Sequence, residues 1–383
     1  MMTGQLLSLV SSVGPAVGNH LWQSTVFAAL AGLMTLLLRK RIASARYGLW
    51  LAASVKFFIP FSLLIGLGGL LAKPQHVAIE PQMQMYSALK AASQPFPETA
   101  KPAVTAHTAS SMKRFAARLP LVLAVVWLCG LVAVLLVWFA RWRRVSAIQQ
   151  RAVLVQEGRE VEILRRLESL AKTRTRIPLL LSQELMEPGV FGVFQPVLLW
   201  PERLSAQLED IHLEAILAHE IMHARRYDNL TAAIHMLVEA AFWFHPMVWW
   251  IESRMVRERE WACDEAVVHL IASPDVYAES LLKTCRFCLA SPLVCVSGVT
   301  GGELRKRIVR IMAESVAQKL DLSNKLFLGA AGLLSLTFPF VFGVVHAAQV
   351  RAQSQEVPEW QTAAGGKIKF EVASVHLDQS GGM

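Results

Sequence analysis

Cysteine is sparse and irregularly placed. The 383-residue chain carries five, at Cys129, Cys263, Cys285, Cys288 and Cys295. One lies inside an apolar run and the others scatter late in the chain. An odd count without regular spacing argues against a disulfide framework. Cys285-x-x-Cys288 has no companion pair, so it reads as two small hydrophobes rather than a redox motif. Acidic residues are also scarce, 29 against 38 basic ones, which gives a formal charge of +9. With 54% hydrophobic residues and a mean hydropathy of +0.40, that excess points to basic cytoplasmic loops of a membrane protein, not to nucleic-acid binding. No basic segment precedes the first apolar run, so that run is expected to stay as a span rather than be cleaved as a signal peptide. No internal repeat is visible.

Long apolar sequence is what the chain has in abundance. Four segments, at about 17–38, 48–72, 119–140 and 325–347, reach the roughly 20 residues a bilayer crossing needs. Pro60 and Pro339 are expected to kink their helices. Arg39, Lys40, Arg41 and Arg46 follow the first segment, and Arg141, Arg143 and Arg144 follow the third. Both clusters belong on the inner side. The N-terminus and a Pro/Ala/Thr-rich loop at 73–118, expected to be extended, are then outside. Residues 141–324 are cytoplasmic and the tail 348–383 is outside. Lys113, Arg114 and Arg118 run against this assignment, since they precede the third segment on its outer side.

Residues 141–324 read as a mixed domain. VEILRRLESLAKTR (161–174) has helical periodicity. IPLLLS (177–182) and PVLLW (196–200) read as short strands around a turn at Pro188 and Gly189. PVLLW suits an edge strand that pairs with an extended substrate and a core strand equally well. Residues 203–226 and 252–270 read as two long helices. The expected fold is therefore a multi-pass α-helical membrane protein with an inserted α+β domain.

The first of those helices contains LAHEIMHARRYDN (217–229), an H-E-x-x-H motif. Residues four apart on a helix share a face, so His219 and His223 can present imidazoles to one metal ion. Glu220, rotated by about 100° from His219, can stand beside such an ion as a general base. Zinc in that setting polarises a scissile carbonyl and lowers the pKa of water towards about 7. An ordinary surface His/Glu cluster is the alternative, but the apolar AILAHEIMHA context favours a buried ligand helix. The best third ligand lies in REREWACDEA (257–266), where Glu260 and Asp264 are four apart. Glu260 would complete a His₂Glu set for one zinc, and Asp264 would accept a hydrogen bond from a ligand imidazole. The alternative is a solvated face in which Glu258, Glu260 and Asp264 pair with Arg254, Arg257 and Arg259.

HEIMHARRYDN, EWACDEA, PGVFGVFQPVLLWP and NHLWQSTVFA (19–28) together resemble the BlaR/MecR-type membrane metallopeptidases, over roughly residues 15–347. In that family and the related CAAX prenyl proteases the third ligand is the Glu of an E-x-x-x-D motif, which matches Glu260 and Asp264. The resemblance implies a gluzincin-like cytoplasmic domain between membrane helices. It also implies a response to an external signal by cleavage of the chain itself or of a transcriptional repressor. The family's large external penicillin-binding domain has no counterpart here, because about 36 residues follow the fourth span. The tail is expected to be the start of a truncated domain, its FEVASV similar to the opening of a domain appended to peptidases of some soil bacteria. β-Lactam sensing has no residue to support it.

Residues 229–251 are long enough to span, but a crossing there would put Glu260 and His223 on opposite faces of the membrane. A buried or interfacial hairpin that docks the domain on the membrane is expected instead. His235 and His245 are read as packed or hydrogen-bonded, His212 as exposed. Arg225, Arg226 and Asp228 are read as a local ion-pair network. Ser280-x-x-Lys283 lacks the partner motifs of a penicillin-binding nucleophile and reads as accidental. Asn19, His20 and Gln23 in the first span, and Lys56 in the second, are candidate interhelical contacts that carry a signal, with snorkelling the alternative for Lys56.

The expected function is an integral inner-membrane zinc endopeptidase of bacteria. Its partners would be a protein substrate, membrane lipid and a second copy of the chain, without nucleic acid. A constitutive quality-control or maturation protease is one alternative. A catalytically silent transducer is another, and intact His219, Glu220, His223 and Glu260 argue against it.

Overall fold

The structure, a computed structural model, describes residues 2–39, 42–71, 110–184, 187–271, 273–289, 301–313, 326, 329–330, 332–334, 337–342 and 344. It divides into two compact units, residues 1–60 with 89–327, and residues 61–88 with 328–383.

The first unit opens with α1 (Met2–Leu37) and α2 (Ala43–Lys56). The second unit contains α3 (Phe61–Leu71) and the helical residues 337–342. Within it Gly68 lets two backbones touch, since a Cβ there would lie 2.1 Å from the Phe340 carbonyl oxygen. Back in the first unit, α4 (Ser110–Arg151) is one helix of 42 residues. Among the described residues, two unbroken helical stretches are long and apolar enough to cross a membrane, Gly14–Leu37 of α1 and Arg118–Arg151 of α4.

One expectation for this region is met and two change. The second apolar segment, 48–72, is interrupted at Pro60, where a kink was expected. The amides of Phe57, Phe58 and Ile59 bond carbonyls three residues back, which closes α2. Pro60 then has no N–H to continue the ladder. The loop expected at 73–118 is helical from Ser110, and that helix runs past residue 140 to Arg151. The rest of that loop, most of the segment 325–347, and the tail 348–383 lie outside the described residues.

A four-stranded sheet follows, in the order β1-β2-β4-β3. β1 (Val153–Val155) is antiparallel to β2 (Leu179–Ser182), which is parallel to β4 (Val197–Pro201). β3 (Gly189–Phe191) closes the edge, antiparallel to β4. PVLLW is therefore an interior strand, flanked on both sides, and its buried Leu198, Leu199 and Trp200 suit that place. α5 (Arg159–Ala171) covers the sheet with Val161, Leu164 and Leu167.

The expected helix 203–226 is two helices. α6 (Glu202–Ser205) stops with i to i+3 bonds from Gln207 and Leu208. Buried Leu208 fills the corner, and α7 (Asp210–Arg225) starts afresh. α8 (Asp228–Ala241) and α9 (Pro246–Ile271) form a helical hairpin, so the helix expected at 252–270 begins at Pro246. α10 (Pro274–Leu289) and α11 (Gly301–Met312) complete the described elements of this unit.

Two apolar cores result. One gathers the sheet, α5, α7, α10, α11 and the C-terminal half of α9, with Cys263 and Val267. The other gathers α1, α2, α8 and the N-terminal half of α9, with Val248, Ile251 and Met255. α9 belongs to both.

Candidate metal centre

α7 is buried on nearly every face, from His212 to Met222. A helix apolar all round belongs inside a core, and only paired polar groups survive there. His212, expected to be exposed, is accordingly buried, with Nδ1 3.0 Å from Ser280 Oγ and Nε2 2.6 Å from Lys283 Nζ. The Ser280-x-x-Lys283 pair thus serves α7–α10 packing.

His219 and His223 turn their Nε2 atoms towards each other at 3.2 Å, with ring planes at 90°. Glu260 of α9 brings Oε2 to 3.5 Å from His219 Nε2 and Oε1 to 3.9 Å from His223 Nε2. The donor atoms of these three residues lie within 4.8 Å of one another. A tetrahedral ion with bonds of about 2.0–2.1 Å sets its donors roughly 3.3 Å apart, so these residues fit zinc. Glu220 is buried on the same helix, 7% exposed, and pairs with no other described residue.

The outward nitrogens are held as a metal site requires. His223 Nδ1 donates to Asp228 Oδ2 at 2.8 Å. His219 Nδ1 donates to the Tyr277 hydroxyl at 2.9 Å, and that hydroxyl donates to Asp264 Oδ1 at 2.6 Å. Both Nε2 lone pairs therefore face the cluster, where Arg307 Nη2 lies 3.5 Å from that of His219. Asp264 itself is 3.6 Å from His219 Nδ1, so the expected direct bond is replaced by a relay through Tyr277.

Arg307 of α11 closes the cluster. Its Nε and Nη2 donate to Asp264 at 2.9 and 2.7 Å, and Nη1 lies 3.3 Å from Glu260 Oε2. Burial pushes Glu260 up, but the His219 hydrogen bond and the charges of His223 and Arg307 hold it well below the usual carboxylate range. Burial opposes a charge on His223, yet Cys263 and Asp228 outweigh it and raise its affinity for a proton. Burial lifts the Cys263 thiol while His223 opposes that shift, and the sulfur lies 3.5 Å from His223 Nδ1. His223, Asp228 and Cys263 form a second close donor group, but Arg226 already lies 3.2 Å from Asp228 Oδ1. That group therefore reads as support for the His223 ring.

Of the pairs the alternative reading expected on α9, Arg259 with Glu260 forms at 3.3 Å, while the other acids turn to partners outside α9. Glu258 pairs with Arg46 of α2 at 2.8 Å, and Glu265 with Arg310 at 2.5 Å and the Ala43 amide at 2.9 Å. Sequence reasoning gave Asp228 only an ion-pair role and missed Tyr277 and Arg307. Arg307 had a readable signal. It falls on the stripe Leu304, Ile308 and Ile311 that packs on the core, where a charge demands a buried partner.

Among the helix contacts near the N-terminus, Lys56 Nζ donates to Ser24 Oγ at 2.9 Å and His20 Nε2 lies 2.8 Å from the Phe57 carbonyl oxygen. Asn19 is buried and Gln23 half-buried. His235 Nδ1 lies 2.7 Å from Ser54 Oγ, and His245 Nε2 lies 3.2 Å from Thr25 Oγ1.

Residues 19–311 match the model of the family described as BlaR1 peptidase M56. The regulatory protein BlaR1 of Bacillus licheniformis is 23% identical over 263 residues, 66% of this chain and 42% of the relative. Methicillin resistance mecR1 proteins of Staphylococcus aureus and Staphylococcus epidermidis are 26% identical over 104 residues, 27% of this chain and 18% of theirs. The matches thus span less than half the length of these curated relatives.

Proposed function

The chain belongs to the BlaR1 peptidase M56 family, and from that premise we propose that it is a multi-pass zinc endopeptidase of the bacterial inner membrane. Its catalytic block is residues 141–324, on the cytoplasmic side. That block lies between a membrane region, 1–140, and a fourth span at 325–347. The substrate is a cytoplasmic protein, a transcriptional repressor or the chain itself, cut when an external signal arrives. One observation carries the reading: two imidazoles of α7 and a carboxylate of α9 converge with their donor atoms within 4.8 Å of one another and the far ring nitrogens hydrogen-bonded.

Zinc, when bound by His219, His223 and Glu260, supplies a Lewis acid for carbonyl polarisation and water activation. The rest falls to side chains. Glu220 accepts a proton from the attacking water and returns it to the leaving amine nitrogen. Asp228 and Tyr277 keep both rings in the tautomer that frees Nε2. Asp264 orients Tyr277, and Arg307 satisfies Asp264 in a dry setting.

The test compares the full wild-type chain with Glu220→Ala in bacterial membranes. About one zinc per chain is expected in both, with cleavage products only in wild type. Absence of zinc, or identical cleavage patterns, would overturn the reading.

A further inference from the structure

The α8–α9 hairpin has polar feet and an apolar turn. α8 starts at Asp228, the partner of His223, and α9 carries Glu260, so both limbs lead to the metal centre. The turn between them, residues 242–245, packs on the two helices that are apolar enough to cross a membrane. His245 meets Thr25, which sits midway along Gly14–Leu37. Trp127 Nε1 donates to the Ala241 carbonyl at 2.8 Å, and Trp243 Nε1 donates to the Trp127 carbonyl at 3.1 Å. Gly130 is needed there, since a Cβ would lie 2.0 Å from the Trp243 ring. Trp127 and Gly130 flank the middle of the apolar run 119–140. Nearer the feet, Trp250 packs where Gly32 leaves room, at 2.8 Å from a built Cβ.

The same hairpin turns large apolar side chains outward. Leu237 is 56% exposed, Phe244 46% and Trp249 43%. Its polar members face inward: His235 bonds Ser54 and pairs with Glu239 at 3.3 Å. The 14 residues of α8 rise about 21 Å, more than half of a hydrocarbon core of about 30 Å.

We propose that the α8–α9 turn is a re-entrant membrane hairpin. It enters the bilayer from the side of the metal centre, reaches about half depth, and presents Leu237, Phe244 and Trp249 to lipid acyl chains. Both ends of the hairpin stay on one side, so His223 and Glu260 remain on the same face of the membrane. The proposal rests on α1 and α4 crossing that membrane. Continuity with their exposed apolar surface is what selects lipid as the occupant.

Photo-crosslinking tests it in the full chain held in phospholipid membranes. Benzoylphenylalanine is placed singly at Phe244 and Trp249, at Leu136 on the outer surface of α4, and at Phe194, which is 85% exposed between β3 and β4. Phospholipid adducts at mid-chain methylenes are expected from Phe244 and Leu136, adducts anywhere on the lipid from Trp249, and none from Phe194. Adducts at Phe244 confined to the headgroup and first acyl carbons, or absent while Leu136 reacts, would overturn the hairpin and leave the spans standing. No lipid adduct at Leu136 would overturn the spans, and the hairpin with them.

Discussion

His219 and Asp264 stand 3.6 Å apart, and the Tyr277 hydroxyl bridges them with bonds of 2.9 and 2.6 Å. The His219 imidazole is thus oriented by a phenol that a buried carboxylate holds in place.

Tyr277→Phe removes that bridge and keeps the ring. Zinc affinity is expected to fall about 10- to 100-fold, the usual cost of losing a partner of a ligating histidine. Competition with a chromogenic chelator measures it, and circular dichroism checks that helix content is unchanged. An unaltered affinity would mean that packing alone orients His219.

Proton and metal compete for His223. Against burial, Cys263 and Asp228 together raise its affinity for a proton above that of a free imidazole. In the metal-free protein the charged ring adds stability below about pH 6.5, and that stability is lost as pH rises through the raised folded value. Zinc binds the neutral ring, so its affinity should already weaken above pH 6.5 as pH falls. Asp228→Asn should move this midpoint to lower pH in a zinc titration repeated across pH values. A midpoint that does not move would deny Asp228 its electrostatic role.

Arg307→Leu leaves the Asp264 carboxylate, 3% exposed, with the Tyr277 hydrogen bond and His219 at 3.6 Å. Breaking a buried ion pair from one side costs about 3–5 kcal/mol. Arg307→Lys should recover only part of this, because two parallel bonds to one carboxylate need a guanidinium. Thermal melting in membranes ranks the three proteins, and a lysine variant as stable as wild type would contradict the paired-bond account.

Gly192 adopts φ +91°, and a Cβ there would lie 2.3 Å from the Gln195 carbonyl oxygen. Gly192→Ala is expected to cost about 1–3 kcal/mol in backbone strain alone. The turn it shapes presents the Val190 and Gly192 carbonyls to Asn229 Nδ2 at 2.8 and 3.0 Å. Loosening should therefore reach the start of α8, and amide exchange at Leu230 and Thr231 would report it.

Motifs with dense local spacing could be read from the chain alone. His219 and His223 share a turn, and the Glu260/Asp264 pair repeats that spacing, so helical periodicity brought each pair to one face. The apolar runs of α1 and α4 were equally plain. Partners remote in sequence were not. Arg307 is 43 residues from the carboxylate it binds, and Tyr277 is 58 from its imidazole. The three-residue strands β1 and β3 are too short to show alternation. Without β3 visible, PVLLW could not be told from an edge. His212 misled because a helix buried on all sides has no polar face to give it away.

α9 is one unbroken rod of 26 residues, anchored at its start among the helices of one core and ending in the other. Glu260 sits 14 residues beyond Pro246, about 21 Å along the axis. At that radius a swing of only about 5° carries the carboxylate nearly 2 Å, which is the difference between grasping an ion and releasing it.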